Sequence, residues 1–568
     1  MRLEGWFFIV SLSIPVIGRF SSSLQRTYSL LGSWFAVHLE DAKPKGTVAS
    51  LDGVRAIACL SVVIFHTHIA TEQMNLWQRA DQPLLAAIFW SGASGVTLFF
   101  VLSGFLLFFP YVKALLFENP WPDTRLFYLR RILRIIPGYY FSLFLLVLLS
   151  SPKYLQPQNW KHLLLFLIFF MDSFQSTNRL INGPYWTLAI EWQFYLLLPL
   201  IALGIRCLAQ RVAVRPERRF WVIFACLMTM IVWGVGTRFL GHYFMFHPTV
   251  TFLVSRPVLN VILVFTYGLD GKYLEDFAVG MLLVLCYTYI YHSDSREKYT
   301  RWIQKLSPWL WGAGILGLLF MAMRNYTNTI LWVWSIFPRL FQALGWTNQL
   351  GFSLAYSCCI LVILFNTGAL KRFFEWTPLR WIGLISYSLY LWHQPILDAF
   401  QYAVGPSLVG LNHNVASSLV FVWEFLVAFP FAFVVYVQIE KPAMRLSDRL
   451  RRQRRTRQVQ PRGNNVGGEG MIEFRAEQSE RGLSHALSAS KTASYQPLAT
   501  RASAVDGSVN NECPTNGQAR SPHGSPSFKV KLVRIQSPSP PGSPPPLAHT
   551  TCKPLHRSMH PSSEASPS

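Results

Sequence analysis

Apolar runs of about twenty residues recur along this chain with short, often basic, connections between them, and that spacing restricts the fold more than any other feature. In hydrocarbon every backbone N–H and C=O has to be paired within its own segment, so a run of this length reads as a membrane-crossing helix. Ten such runs stand at approximately 54–70, 84–109, 135–150, 185–205, 220–240, 276–292, 309–323, 349–366, 381–401 and 415–439. The expected fold class is therefore all-α, a polytopic bundle of about ten transmembrane helices. Composition excludes a soluble enzyme: 14% of the residues are charged, against roughly 25% in soluble domains.

An eleventh apolar run, 162–171, holds only ten residues and ends at Asp172. Whether it crosses decides the orientation of everything after it. Read as re-entrant or interfacial, with a cytoplasmic amino terminus, it leaves the basic clusters Arg125–Arg134, Arg206–Arg219, Arg296–Lys305, Lys371–Arg380 and Lys441–Arg457 all on the inside. A crossing 162–171 puts Arg206–Arg219 outside, against the positive-inside tendency. The expectation is a multi-pass integral membrane protein with both termini cytoplasmic. The formal charge of +23 then reflects inner loops, and nucleic acid is not an expected partner.

Three regions follow from this reading: an interfacial or cytoplasmic extension at 1–50, a membrane domain at 51–440, and a basic, Ser/Pro-rich tail at 441–568. Residues 5–17 look like a signal-peptide core but lack a convincing cleavage site. The tail has few long apolar runs and repeated Ser-Pro pairs, so it is expected to be disordered. Eight cysteines with no C-x-x-C pair support neither a disulfide framework nor a zinc site. Walker A, HExxH and GxSxG elements are also missing from the sequence, and no bound metal or cofactor is expected.

Ionisable side chains inside spans are costly and are functional candidates by default. In LDGVRAIACLSVVIFHTH, Arg55 and His66 are eleven residues apart, about 20° from three full turns and roughly 16 Å along one helix face. Glu191, in NGPYWTLAIEWQFYLLLPL, enters from the outer side to a depth close to that of His66. His393 reaches a comparable level from the ninth run, with Ser386, Tyr387, Ser388 and Tyr390 beneath it. Three ionisable groups at one depth point to a shared polar cavity. On the cytoplasmic side, Arg130, Arg131 and Arg134 in LRRILRIIP present guanidinium forks suited to phosphates. Ser94, Gly95, Ser103 and Gly104 are small residues that admit close helix approach or line a narrow channel.

With these residues in hand, the sequence resembles the acyltransferase-3 family of membrane-bound acyltransferases. LDGVRAIACLSVVIFH, GVTLFFVLSGFLL, RRILRIIP, YWTLAIEWQFYLL and IGLISYSLYLWHQP occur in family order between about 51 and 440. The resemblance implies a ten-helix bundle that moves an acyl group, usually acetyl, from acyl-coenzyme A as co-substrate to a hydroxyl. It sets the family's R-x10-H on Arg55 and His66, its RxxR on Arg131 and Arg134, and its Trp and Glu on Trp186 and Glu191. The extensions at both ends depart from the core pattern. The Ser-Pro-rich tail points to a eukaryotic, fungal member, and so to a lipid, sterol-like or secondary-metabolite acceptor rather than a polysaccharide.

An alcohol is a poor nucleophile at neutral pH, so the chemistry asks for a base. His66 is the expected general base, with Glu191 orienting it or binding the acceptor hydroxyl. Direct transfer and an acyl-histidine relay both fit. Arg55, Arg130, Arg131 and Arg134, with Ser103, Trp186, Tyr387 and His393, are expected to contact acyl-coenzyme A or the acceptor, a small molecule, lipid or glycan. A different class also fits the same residues: a non-enzymatic, proton-coupled transporter or ligand-binding membrane protein.

Overall fold

The computed structural model describes residues 49–77, 83–212, 215–251, 253–325, 345–408 and 410–459. Segment 5–17 and the Ser-Pro-rich chain after 459 lie outside the described residues. Among those described there is no strand. The helices are α1 (Ala49–Gln73), α2 (Pro83–Trp90), α3 (Gly95–Phe117), α4 (Thr124–Leu149), α5 (Trp160–Leu167), α6 (Tyr185–Val212), α7 (Pro216–Phe246) and α8 (Arg256–Thr266). They continue as α9 (Leu274–His292), α10 (Arg296–Asn325), α11 (Asn348–Phe365), α12 (Ala369–Phe374), α13 (Thr377–Ala403), α14 (His413–Trp423), α15 (Phe429–Val435) and α16 (Lys441–Val459).

Among the described residues, nine helical stretches are long and apolar enough to cross a bilayer. They coincide with nine of the ten apolar runs. The remaining run, the ninth at 381–401, lies in α13, whose 27 residues give roughly 40 Å of helix but whose serines, tyrosines and His393 keep it short of the apolar standard. It packs along α1, and Ser386, Ser388 and His393 are all buried. Of run 162–171, only 162–167 is in α5, an eight-residue helix of roughly 12 Å. That length cannot cross about 30 Å of hydrocarbon.

The tail needs a correction. It does not lose structure at 441, because α16 stays helical to Val459. Lys, Arg, Gln and Met are good helix formers, and they extend a helix already set by the last span. That span contains two wide turns, Glu424–Ala428 and Tyr436–Glu440, and the second turns Glu440 inward. Such wide turns inside α-helices are often found at functional sites.

Close approach at glycines sets the core. A Cβ on Gly104 of α3 would run into the Phe277 carbonyl of α9, and one on Gly280 of α9 into the Val101 carbonyl of α3. The two backbones therefore touch reciprocally, which holds Ser103 at a fixed height opposite α6. Gly383 of α13 meets the Asp52 carbonyl of α1 in the same way. Leu148, Leu149, Leu200, Trp233 and Leu316 point outward and remain exposed, the apolar rim that lipid would cover.

Candidate active site

α1, α3, α4, α6 and α13 enclose a cavity of about 80 Å³ lined by Arg55, Ser103, Arg131, Arg134, Thr187, Glu191, Tyr195, Ser386, Tyr387 and Tyr390. At the roughly 10–15 Å³ needed per ordered water on this measure, it has room for several. α4 aims its arginines here because Asp123 caps its start, accepting from the backbone N–H of Arg125 at 2.9 Å and of Leu126 at 3.3 Å. Arg131 and Arg134 then fall one turn apart on the inward face, while Arg130 does not line the cavity.

Glu191 is held by two hydroxyl donors. Ser103 Oγ donates to its Oε1 at 2.6 Å, and Tyr195 OH, one turn along the same helix, makes a short bond to the same oxygen. Arg131 lies 5.7 Å from the Tyr195 ring and within electrostatic range of Glu191. Asp52 lies 3.7 Å from Arg55. Glu440 accepts a short bond from Ser388 Oγ and lies within electrostatic range of Arg134. Of the cavity's arginines only Arg55 has a carboxylate within ion-pair distance; Arg131 and Arg134 feel Glu191 and Glu440 through space, an attraction that offsets part of the cost of burying their charge.

The histidines form a separate unit. His66 Nδ1 lies 2.9 Å from His393 Nε2, and His393 Nδ1 lies 3.1 Å from the Leu389 carbonyl. A carbonyl only accepts, so the single proton of a neutral His393 resides on Nδ1. Its Nε2 is then a lone pair that receives the Nδ1–H of His66. That tautomer leaves a lone pair on His66 Nε2, the atom a base needs. Tyr390 links the two units: it lines the cavity, bonds Thr187 at 2.8 Å and lies 5.7 Å from the His393 ring.

A polar lip closes over the histidine end. Arg179 lies within electrostatic range of His66, stands 5.6 Å over the Trp186 ring and pairs with Asp270 at 3.1 Å. Beside it Lys272 bonds Asp172 and reaches Ser173 Oγ at 2.8 Å. Burial pushes the Lys272 ammonium below its ordinary range while Asp172 works against that shift.

Two expectations change. Glu191 does not bond His66: its oxygen is committed to Ser103 and Tyr195, and it shares a cavity with Arg55, about three turns of α1 away from His66, so the expected common depth does not hold. His393, expected to contact a ligand, is fully buried with one ring nitrogen at His66 and the other at the Leu389 carbonyl, so neither nitrogen faces the cavity at Glu191. The sequence reading passed over Tyr195, Glu440, Thr187 and Arg179. Tyr195 was findable, since a residue four after Glu191 shares its helix face.

The fold and the site together define a multi-pass membrane protein with an interior polar centre. Residues 48–437 match a family described as an acyltransferase domain, and the chain belongs to that acyltransferase-3 family. A putative peptidoglycan O-acetyltransferase of Bacillus subtilis is 26% identical over 369 residues, covering 62% of this chain and 48% of the relative. A peptidoglycan O-acetyltransferase of Listeria monocytogenes is 26% identical over 373 residues, covering 62% of this chain and 49% of the relative. A putative O-acetyltransferase of Staphylococcus aureus is 24% identical over 372 residues, with shares of 62% and 51%. The chain thus spans about half the length of these curated relatives. No solved structure matches it significantly.

Proposed function

We propose that the protein transfers an acyl group, acetyl in the first instance, from acyl-coenzyme A to a hydroxyl on a lipid, glycan or secondary metabolite. The observation that carries this reading is the hydrogen-bond chain from the Leu389 carbonyl through His393 to His66, which presents an unprotonated Nε2 at the head of a polar interior. The acceptor oxygen attacks the thioester carbonyl carbon as its proton passes to His66 Nε2. The carbon–sulfur bond then breaks, and the imidazolium returns the proton to the thiolate, so no net proton is consumed. Glu191, fixed by Ser103 and Tyr195, positions Arg131 beside the cavity and offers an acceptor for an incoming hydroxyl. Arg55, Arg131 and Arg134 guide the donor's pantetheine arm from the cytoplasmic side, where both termini also lie. The peptidoglycan named in the relatives' descriptions supports a hydroxyl acceptor as a class.

The test is thiol release from acetyl-coenzyme A by purified protein in detergent, with a panel of hydroxyl acceptors and mass detection of the ester. Removing a general base typically costs about 10²- to 10⁴-fold in rate, and His66→Ala is expected to fall in that range with normal expression. Near-wild-type turnover in His66→Ala would remove that residue from the chemistry.

A further inference from the structure

A second, larger cavity, of about 340 Å³, opens where α3 and α6 end and α7 begins. Its volume is within the range typical of small-molecule sites, about 300–1,000 Å³, whereas the cavity at Glu191 is well below it. Arg206 stands over Trp121 with its guanidinium 4.8 Å from the ring centroid. Tyr111 meets the same indole edge-on at 5.3 Å, so the platform under Arg206 is rigid. Arg219, buried at the cavity wall, pairs with Glu118 at 2.6 Å. Among the described residues no carboxylate ion-pairs with Arg206, whereas the neighbouring Arg219 is taken up by Glu118.

Position adds the second argument. Glu118 is fifteen residues beyond Ser103 on α3, and Arg206 is fifteen beyond Glu191 on α6. Both helices therefore carry the Ser103–Glu191 bond roughly 22 Å to this cavity, past Arg131. A ligand touching both places needs a reactive end, a long slender arm and an anionic planar head. Arg206 offers a guanidinium edge to a phosphate and a planar face to an aromatic base.

We propose that this cavity holds the phosphate-bearing nucleotide end of the thioester donor, with Arg206 on its Trp121 platform as the main contact and Arg219 beside it. The assignment rests on the acyl-coenzyme A reading above. It places the phosphates at the larger cavity rather than at Arg131 and Arg134, whose own cavity of about 80 Å³ is too small for a nucleotide.

The experiment uses the full chain in phosphatidylcholine nanodiscs, with adenosine 3′,5′-bisphosphate as the competing probe. Stacking and cation contacts of this kind change affinity about tenfold or more. Arg206→Ala and Trp121→Ala should raise KM for acetyl-coenzyme A by about that factor, with kcat changed less than about twofold. Inhibition by the probe should weaken in parallel, and Trp121→Phe should restore much of both. The ratio of kcat/KM for acetyl-coenzyme A to that for S-acetyl-pantetheine, which lacks the nucleotide, should fall about tenfold. If Trp121→Ala fails to fold, the half-exposed Arg206 carries the test as Arg206→Gln. Unchanged KM and inhibition with normal turnover would overturn the cavity assignment and leave the donor reading standing. Competition by phosphatidylglycerol in place of the nucleotide would reassign the cavity to a lipid headgroup and also overturn it. No turnover of acetyl-coenzyme A by the wild type would remove both.

Discussion

At the scale of single residues, the argument turns on which nitrogen of each histidine holds a proton. The Leu389 carbonyl sets the tautomer of His393, and His393 Nε2, with the backbone of Val62, favours the proton of His66 on Nδ1. In the mechanism proposed above His393 is then a positioning residue, and its loss weakens the hold on the tautomer whose Nε2 acts as the base. A comparable tautomer error at a hydrolase triad costs about 10⁴ in kcat; a buried neighbour with no charge should matter less. His393→Leu is expected to lower kcat about a hundredfold with little change in KM. In His393→Gln the amide oxygen sits near the lost Nε2, and much of the activity should return. If both variants match the wild type in kcat, the histidine chain has no part in the reaction. Sequence could not reveal this pairing. Counting along a helix from an assumed end gives only an approximate height: His66, Glu191 and His393 were assigned one level, whereas Glu191 lies with Arg55, about three turns of α1 from His66.

At the scale of helices, the spans were legible because hydrocarbon thickness imposes a length, and the cores of nine runs fall within nine crossing helices. Their contacts were only partly legible. Gly104 was recognised as a small residue that permits close approach, but its partner, the Phe277 carbonyl, lies on a distant segment and only folding reveals it. Glu440 escaped notice because it heads a run of basic residues, and its inward turn depends on the wide turn at Tyr436–Glu440. The reciprocal contact between α3 and α9 makes a prediction. Adding a methyl where two backbones touch forces them apart, at a cost of typically about 1–3 kcal/mol. Gly104→Ala and Gly280→Ala should each lower thermal stability in detergent. Gly204→Ala is the control, since nothing stands within 4 Å of a Cβ there, and it should be neutral or slightly stabilising. Equal melting temperatures for all three would mean that α3 and α9 are not held by this contact.

At the scale of the whole membrane domain, function depends on one end facing the donor, and therefore on how many helices cross. Arg55 near the start of α1, Arg131 and Arg134 near the start of α4, and Arg206 near the end of α6 belong at one end if these helices cross in alternation. Positive-inside bias makes that end cytoplasmic. α13 is the critical element because its sequence is too polar to declare itself a span. Its polar side chains are nevertheless buried against α1 and the last span, so lipid does not meet them, and its length exceeds the hydrocarbon thickness. If α13 crosses, the chain after 459 emerges on the same side as the α6–α7 connection at 213–214. If it does not, the two lie on opposite faces. Epitope tags placed at 213–214, at 248 in the α7–α8 connection and after 459 separate these outcomes in sealed cells. The tag at 248 is expected to bind antibody without permeabilisation, and the other two only after it. An accessible tag after 459 with a protected tag at 213–214 would remove α13 from the spans. It would also leave His393 on a helix that does not cross, with no fixed depth from which to hold His66.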